Sequence, residues 1–202
     1  MRLQSGNFRQ EDLLAAMQKA SAQAERASKI IHRVRDFARK NESERSQLQL
    51  VNIVENTIDL MELDAKRFNA RVIVDIPADL PPIYGNSILI EQVLLNLIKN
   101  GFDSMMHLPP ARRIVTLRAR ELEPHMVIIS VIDNGKGINE DERELLFSLF
   151  YTTKPGGMGM GLNICRSIVE SHNGRLTVEA NPEGGSIFSF TLSTEVDDEQ
   201  IA

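Results

Sequence analysis

The chain has 202 residues, of which 42% are hydrophobic and 25% charged, and it carries a formal charge of -5. This composition excludes wholesale disorder, and the acidic balance excludes a nucleic-acid partner held by phosphate neutralisation. A single cysteine, Cys165, excludes an internal disulfide; no stretch approaches the roughly 18 apolar residues of a membrane helix, and the start has no signal-peptide core. The expectation is a soluble, cytoplasmic chain with no membrane segment. Any anionic ligand would need a local pocket rather than a basic surface.

Glycine and proline divide the chain. Neither occurs between Gly6 and Pro77, whereas all eight prolines lie from Pro77 onward. The first part should be mostly uninterrupted helix and the rest a domain rich in turns. Leu13, Met17, Ala20, Ala24, Ala27, Ile31, Val34 and Ala38 recur in steps of four and three, the period of a packed helical seam. Such a narrow stripe calls for a partner helix. A lone amphipathic helix lying on the downstream domain is the blander alternative.

After a polar run over 40–47 and a short apolar stretch at Leu48 to Val51, a helix is predicted from about Asn52 to Arg67. Arg71 to Ile76 reads as a strand ended by Pro77. Asn86 or Ser87 can cap a second helix from Ile88 to about Met106, whose apolar residues form a wide stripe. Strands follow at about Arg113–Glu121 and Met126–Ile132, then a short helix near Glu140–Phe147 and a glycine-rich loop. A helix over Gly161–Ser171 and strands at Arg175–Glu179 and Ser186–Leu192 complete the set. The two adjacent strand pairs look like hairpins. The fold class expected is an α/β (α+β) sandwich, a mixed sheet with helices on one face.

Three clusters have chemical character. Asn96 and Asn100 are one helical step of four apart, with Asp103 three further on the same side. An amide oxygen is a hard ligand suited to magnesium, which takes few protein ligands and keeps several waters. A solvated helix face is the bland alternative. In the second cluster a strand delivers Asp133 into a turn with Gly135 and Gly137. A carboxylate there could accept from an exocyclic amine such as that of adenine; otherwise it is an ordinary Asn-Gly turn. In the third, Gly156, Gly157, Gly159 and Gly161 lead straight into a helix, and their N–H groups with Lys154 could cradle phosphates. The run is neither a Walker loop nor Gly-x-Gly-x-x-Gly.

Taken in order, these clusters resemble the sensor histidine kinases of two-component systems. Gln92 to Asn100 looks like their N box, Asp133 to Ile138 the G1 box, Leu146 to Lys154 the F box and Gly157 to Leu162 the G2 box. Gly184 to Phe190 is similar to their closing glycine-aromatic strand. The short lid and the Gly-Met-Gly-Met-Gly-Leu run look most like the branch with the nitrogen-fixation and dicarboxylate sensor kinases. The resemblance implies a Bergerat-type ATP-binding fold and the ligands ATP and Mg²⁺. By it Asn100 would hold the metal, Asp133 the adenine amine, and Lys154 with the 157–161 backbone the phosphates. Asn100 and Lys154 are the residues it implies for catalysis. Asn96, Asp103, Gly135, Gly137, Ile138, Tyr151, Thr153, Gly157, Gly159, Met160, Gly161 and Leu162 complete the nucleotide-binding set.

The domains expected are 1–46, a partial dimerisation helix; 47–195, the catalytic ATP-binding domain; and 196–202, an acidic tail. Ala27 to Phe37 resembles the second helix of the kinase dimerisation hairpin, but no segment before Ser21 has the acceptor histidine followed by an acid. The resemblance therefore implies γ-phosphoryl transfer from Mg-ATP to a histidine that this chain does not contain. It also implies homodimerisation through the N-terminal helix region and a response-regulator receiver domain as partner. His32 is a poor substitute acceptor, being followed by Arg33 rather than an acid. His107 is expected at a helix end, His125 in a turn and His172 at a helix stop. Two alternatives stand beside the kinase. A hydrolytic ATPase of the same superfamily would place a glutamate where this chain has Asn96, and an amide cannot act as a base. A nucleotide-sensing dimerisation module with no chemistry is the other.

Overall fold

The computed structural model describes residues 45–123, 125–143, 145–148, 151–152 and 159–195. The chain divides after Glu44, and the architecture below is that of the unit beginning at Arg45. The seam helix and His32 lie outside the described residues.

The elements are β1 (Ser46–Leu48), α1 (Leu50–Phe68), β2 (Arg71–Asp75), β3 (Ile83–Gly85), α2 (Ser87–Ser104), β4 (Ile114–Glu123), β5 (Met126–Asp133), α3 (Glu140–Arg143), α4 (Gly161–Ser171), β6 (Leu176–Ala180) and β7 (Ser186–Ser193). Five strands form a sheet in the order β2-β4-β5-β7-β6, and β1 pairs with β3 in a small second sheet. β2 runs parallel to β4, from Arg71 opposite Ile114 to Asp75 opposite Arg118. The remaining pairs, β4 with β5, β5 with β7 and β6 with β7, are antiparallel. The sheet is therefore mixed, with α1, α2 and α4 packed together and onto it, as the hairpin reading predicts.

Period-two patterning sets the faces. Along β5 Val127, Ile129, Val131 and Asp133 are buried while their neighbours are half-exposed, and β7 alternates likewise. One face thus carries the core and the other meets water. On α2 the buried residues Leu89, Ile90, Val93, Leu94, Leu97, Ile98 and Phe102 cover more than one face, because the helix lies between the sheet and its two neighbour helices. Burying each such side chain contributes about 1.5–3 kcal/mol. Phe68 at the end of α1 meets Phe102 with ring centroids 5.6 Å apart.

The helix ends follow local chemistry. Asn86 caps α2 by accepting from the Leu89 N–H at 3.1 Å. Asn69 ends α1 in the left-handed conformation, with φ 48°, which asparagine tolerates. Arg113, just before β4, joins both helices: its Nη1 donates to the Phe68 carbonyl at 2.6 Å, Nε to Leu108 at 2.9 Å and Nη2 to Met106 at 3.1 Å.

Two details depart from the sequence reading. The stretch before α1 includes a strand, β1, whose partner β3 has no counterpart among the predicted elements; three-residue strands are too short to show a period, and only their mutual pairing defines them. The helix expected over Glu140–Phe147 is one turn, α3, followed by a 3₁₀ turn at Leu145–Phe147.

Candidate nucleotide site

The buried face of β5 ends on a carboxylate. Asp133 is 2% exposed, and at that depth it must be hydrogen-bonded. Its Oδ1 accepts from the Gly135 N–H at 2.7 Å and lies 2.9 Å from Ser104 Oγ at the end of α2. Ser104 Oγ also lies 2.8 Å from the Gly101 carbonyl, so its single proton serves one acceptor at a time. The Ser186 hydroxyl, at the start of β7, donates to Oδ2. The Asp133 carbonyl in turn accepts from Asn181 Nδ2 at 3.2 Å.

Two glycines make this convergence possible. A Cβ on Gly135 would collide with Ser104 Oγ and lie 2.7 Å from Asp133 Oδ1. Gly185 has φ +96°, and its Cβ would collide with the Asp133 carbonyl and stand 2.6 Å from the Gly135 nitrogen. Three segments thus close on Asp133: the end of α2, the turn after β5 and the approach to β7.

The other predicted residues flank that point. Asn96 and Asn100 are half-buried on α2, as is Asp103, on the face next round the helix from Gly101 and Ser104. Asn96 stands beside Cys165 of α4, whose thiol donates to the Val93 carbonyl at 3.9 Å. Burial pushes that thiol up to about 12, the Asn96 and backbone hydrogen bonds opposing it, so Cys165 is chemically inert. Gly137, Ile138 and Tyr151 are half-buried. Thr153, Lys154 and Gly157 lie outside the described residues. Gly159 has φ +63°, and Met160 stands at the cap position before α4 without a side-chain hydrogen bond. Gly161 and Leu162 form its half-buried first turn, and among the described residues a Cβ on Gly161 would meet nothing within 4 Å. A helix dipole at such a turn favours an anion.

Sequence reasoning missed Ser104, Ser186 and Asn181. Each is an ordinary polar residue in its own segment, with no local signal. It also read His172 only as a helix stop. The ring is 3% exposed; its Nε2 accepts from the Asn86 N–H at 3.0 Å and its Nδ1 donates to the Ile168 carbonyl at 2.8 Å. His172 so locks the start of α2 to the end of α4. Arg45 donates to the carbonyl of the adjacent Ser171. His125 pairs with Glu195 at 2.8 Å on the surface. Among the described residues no three His, Cys, Asp or Glu side chains group to hold a metal, and no helix is long and apolar enough to cross a membrane.

Residues 85–196 match the family described as "Histidine kinase-, DNA gyrase B-, and HSP90-like ATPase". The chain belongs to this family. Its likeness within the ATPase family is to sensor kinases. The C4-dicarboxylate transport sensor protein DctS of Rhodobacter capsulatus is 38% identical over 180 residues, which cover 89% of this chain and 27% of that protein. Sensor protein FixL of Bradyrhizobium diazoefficiens is 38% identical over 180 residues, covering 88% of this chain and 35% of that protein. Among solved structures, the catalytic domain of histidine kinase ThkA superposes with a TM-score of 0.65 at 26% identity, covering 75% of this chain and 96% of that one. The chain is thus homologous to the kinase region of two-component sensor kinases, and its mixed sheet and helices match a histidine kinase catalytic domain. It spans about a third of the length of these curated relatives. The ATPase family match starts at Gly85, so β1, α1 and β2 precede it, while Asn96, Asp133 and the first turn of α4 fall inside.

Proposed function

We infer that this chain is the ATP-binding catalytic region of a two-component sensor histidine kinase, which transfers the γ-phosphoryl group of Mg-ATP to a histidine on a helix that this sequence does not contain. The observation that supports it most is the cradle around Asp133, a buried carboxylate at the end of a strand, held by Gly135, Ser104 and Ser186. Membership of the ATPase family makes ATP the ligand that such a carboxylate serves.

In this reading Asp133 accepts the adenine amine and so selects the base. Gly135, Gly137, Ile138, Met160 and Leu162, with Tyr151 and Thr153, wall the nucleotide. The uncapped first turn of α4, with Gly157, Gly159 and Gly161 before and in it, donates N–H groups to the phosphates, and Lys154 adds a mobile positive charge. Asn100, flanked by Asn96 and Asp103, is the residue that would hold Mg²⁺. A metal held there would supply positive charge against the phosphates. The donor set fits: an amide oxygen is a hard ligand, and magnesium takes few ligands from a protein. Phosphoryl transfer requires chiefly positioning and electrostatics, and these residues supply both. Asn96 favours transfer over hydrolysis, since its amide has no capacity to take a proton from water.

The parent protein would dimerise through the N-terminal helix region, 1–46, and pass its phosphoryl group to a response-regulator receiver domain. Residues 47–195 would form the catalytic domain, with an acidic tail beyond, and the catalytic part would work in the cytoplasm.

The test mixes the chain with γ-labelled ATP and a separate dimerisation hairpin that carries an acceptor histidine. Label should pass to the hairpin, and Asp133→Asn or Asn100→Asp should abolish the transfer. Release of the label as inorganic phosphate would favour the hydrolase. ATP binding without either reaction would favour the sensing module, and no ATP binding would overturn the assignment altogether.

A further inference from the structure

The five-stranded sheet ends at β2, which among the described residues is paired on one side only, by β4. The Arg71 N–H donates to Arg113 at the start of that ladder, at 2.9 Å. In a parallel ladder a residue turns its N–H and C=O the same way and the next residue turns them oppositely. Arg71, Ile73 and Asp75 therefore address β4, and Val72 and Val74 present their backbone groups outward. Edge strands are usually blunted by charged side chains, proline, a bulge or a cover. β2 has neither proline nor bulge: its register with β4 runs unbroken, its two charges, Arg71 and Asp75, stand at its ends, and Ile73 and Val74 between them are each 46% exposed.

The sequence of this edge is self-complementary. Reversed about Ile73, it opposes valine to valine and arginine to aspartate. An antiparallel second copy, with the two-fold axis at Ile73, sets Val72 against Val74 of the second copy. Both are outward-facing, so each such pair exchanges two backbone hydrogen bonds. Ile73 meets Ile73 of the second copy on the sheet face away from the helices, with Arg71 against Asp75 on either side of it. Asp75 already accepts from Arg118 at 2.7 Å on that face, and the incoming arginine reaches its other flank. A parallel arrangement would instead stack Arg71 on Arg71 and Asp75 on Asp75. A one-residue slip would turn every side chain to the wrong face.

We propose that β2 is a self-association edge, at which two copies of this chain pair antiparallel about Ile73 and their sheets become continuous. Five residues of strand make a contact below the standard interface size, so the association is weak and concentration-dependent.

A covalent trap tests it in the full chain. Ile73→Cys places a thiol opposite its own copy at a non-hydrogen-bonded position, within disulfide reach; Cys165, buried and with its pKa pushed up to about 12, does not compete. Under mild oxidation a denaturing, non-reducing gel should show Ile73→Cys dimerising several-fold faster than Leu63→Cys, whose position on α1 is more exposed, at 79%. Denaturation removes any association made through other residues. Two further chains add Arg71→Asp or Asp75→Arg to Ile73→Cys. Each alone should cross-link more slowly than Ile73→Cys, and their mixture should recover the rate as a mixed dimer. Equal rates for Ile73→Cys and Leu63→Cys, or a mixture no faster than its components, would overturn the proposal.

Discussion

Asp133 and His172 show how single residues come by their roles. A carboxylate that ends the buried face of a strand has to find donors, and Asp133 finds them 29 and 53 residues away, in Ser104 and Ser186. The strand and turn around Asp133 are legible in the sequence because they are local; the two serines are not, because nothing near them marks a partner so distant along the chain. His172 is the stronger case. Asn173 and Gly174 mark a helix end, and the helix does end there, but the imidazole's bonds to Asn86 and Ile168 depend on packing alone. Burial lowers its pKa; the Ile168 carbonyl opposes this and the charge on Arg45 adds to it. Above the ordinary histidine value, about pH 6.5, the ring is neutral whether folded or not, and its contribution to stability is complete. Below that value the unfolded chain takes up the proton first, so stability falls until the folded ring titrates as well. Melting temperature should therefore drop between about pH 7 and about pH 5 more steeply in the parent than in His172→Gln. Equal slopes would show that other groups set the acid limit.

At the scale of elements, apolar periodicity and end signals locate the long helices well. Of the two caps expected for α2, Asn86 and Ser87, the structure uses Asn86, and α4 spans the predicted Gly161–Ser171. α1 begins at Leu50, slightly before the predicted Asn52. The joint between α1, α2 and β4 is a different matter. It rests on Arg113, whose guanidinium takes carbonyls from the ends of both helices. A cation there also suits the negative ends of the helix dipoles. Removing it leaves part-buried carbonyls without their donor, so Arg113→Ala should lower stability by about 1–3 kcal/mol, read as a shift in the urea midpoint. Arg113→Lys should restore only part of this, because an ammonium cannot reproduce the fork that reaches three carbonyls. A full rescue by lysine would mean that charge, not geometry, holds the joint.

For the whole molecule, the acidic balance of -5 means that the overall field does not attract a nucleotide. In the proposed function ATP capture depends on a few placed groups, and the residues proposed for it belong to the unit that starts at Arg45. That unit has its own core, built on α2 and the inner faces of β4, β5 and β7. A piece comprising residues 45–195 should fold cooperatively and bind ATP as tightly as the full chain, while losing the dimerisation proposed for the N-terminal region; calorimetry and sedimentation would check the two halves of this statement. If the piece binds ATP many-fold more weakly, residues 1–44 contribute to the pocket. The sequence by itself determined the order of the long helices and of the five main-sheet strands, the sheet class, the family and the carboxylate at the end of β5, since periodicity, turn chemistry and motif spacing are local properties of a chain. Only the tertiary structure decided which serines hold Asp133, that His172 and Arg113 fasten the helices, that β1 and β3 are strands at all, and that β2 is, among the described residues, one of the sheet's two edges. Each of these depends on groups brought together from distant points in the sequence, where packing, not local preference, selects the partner.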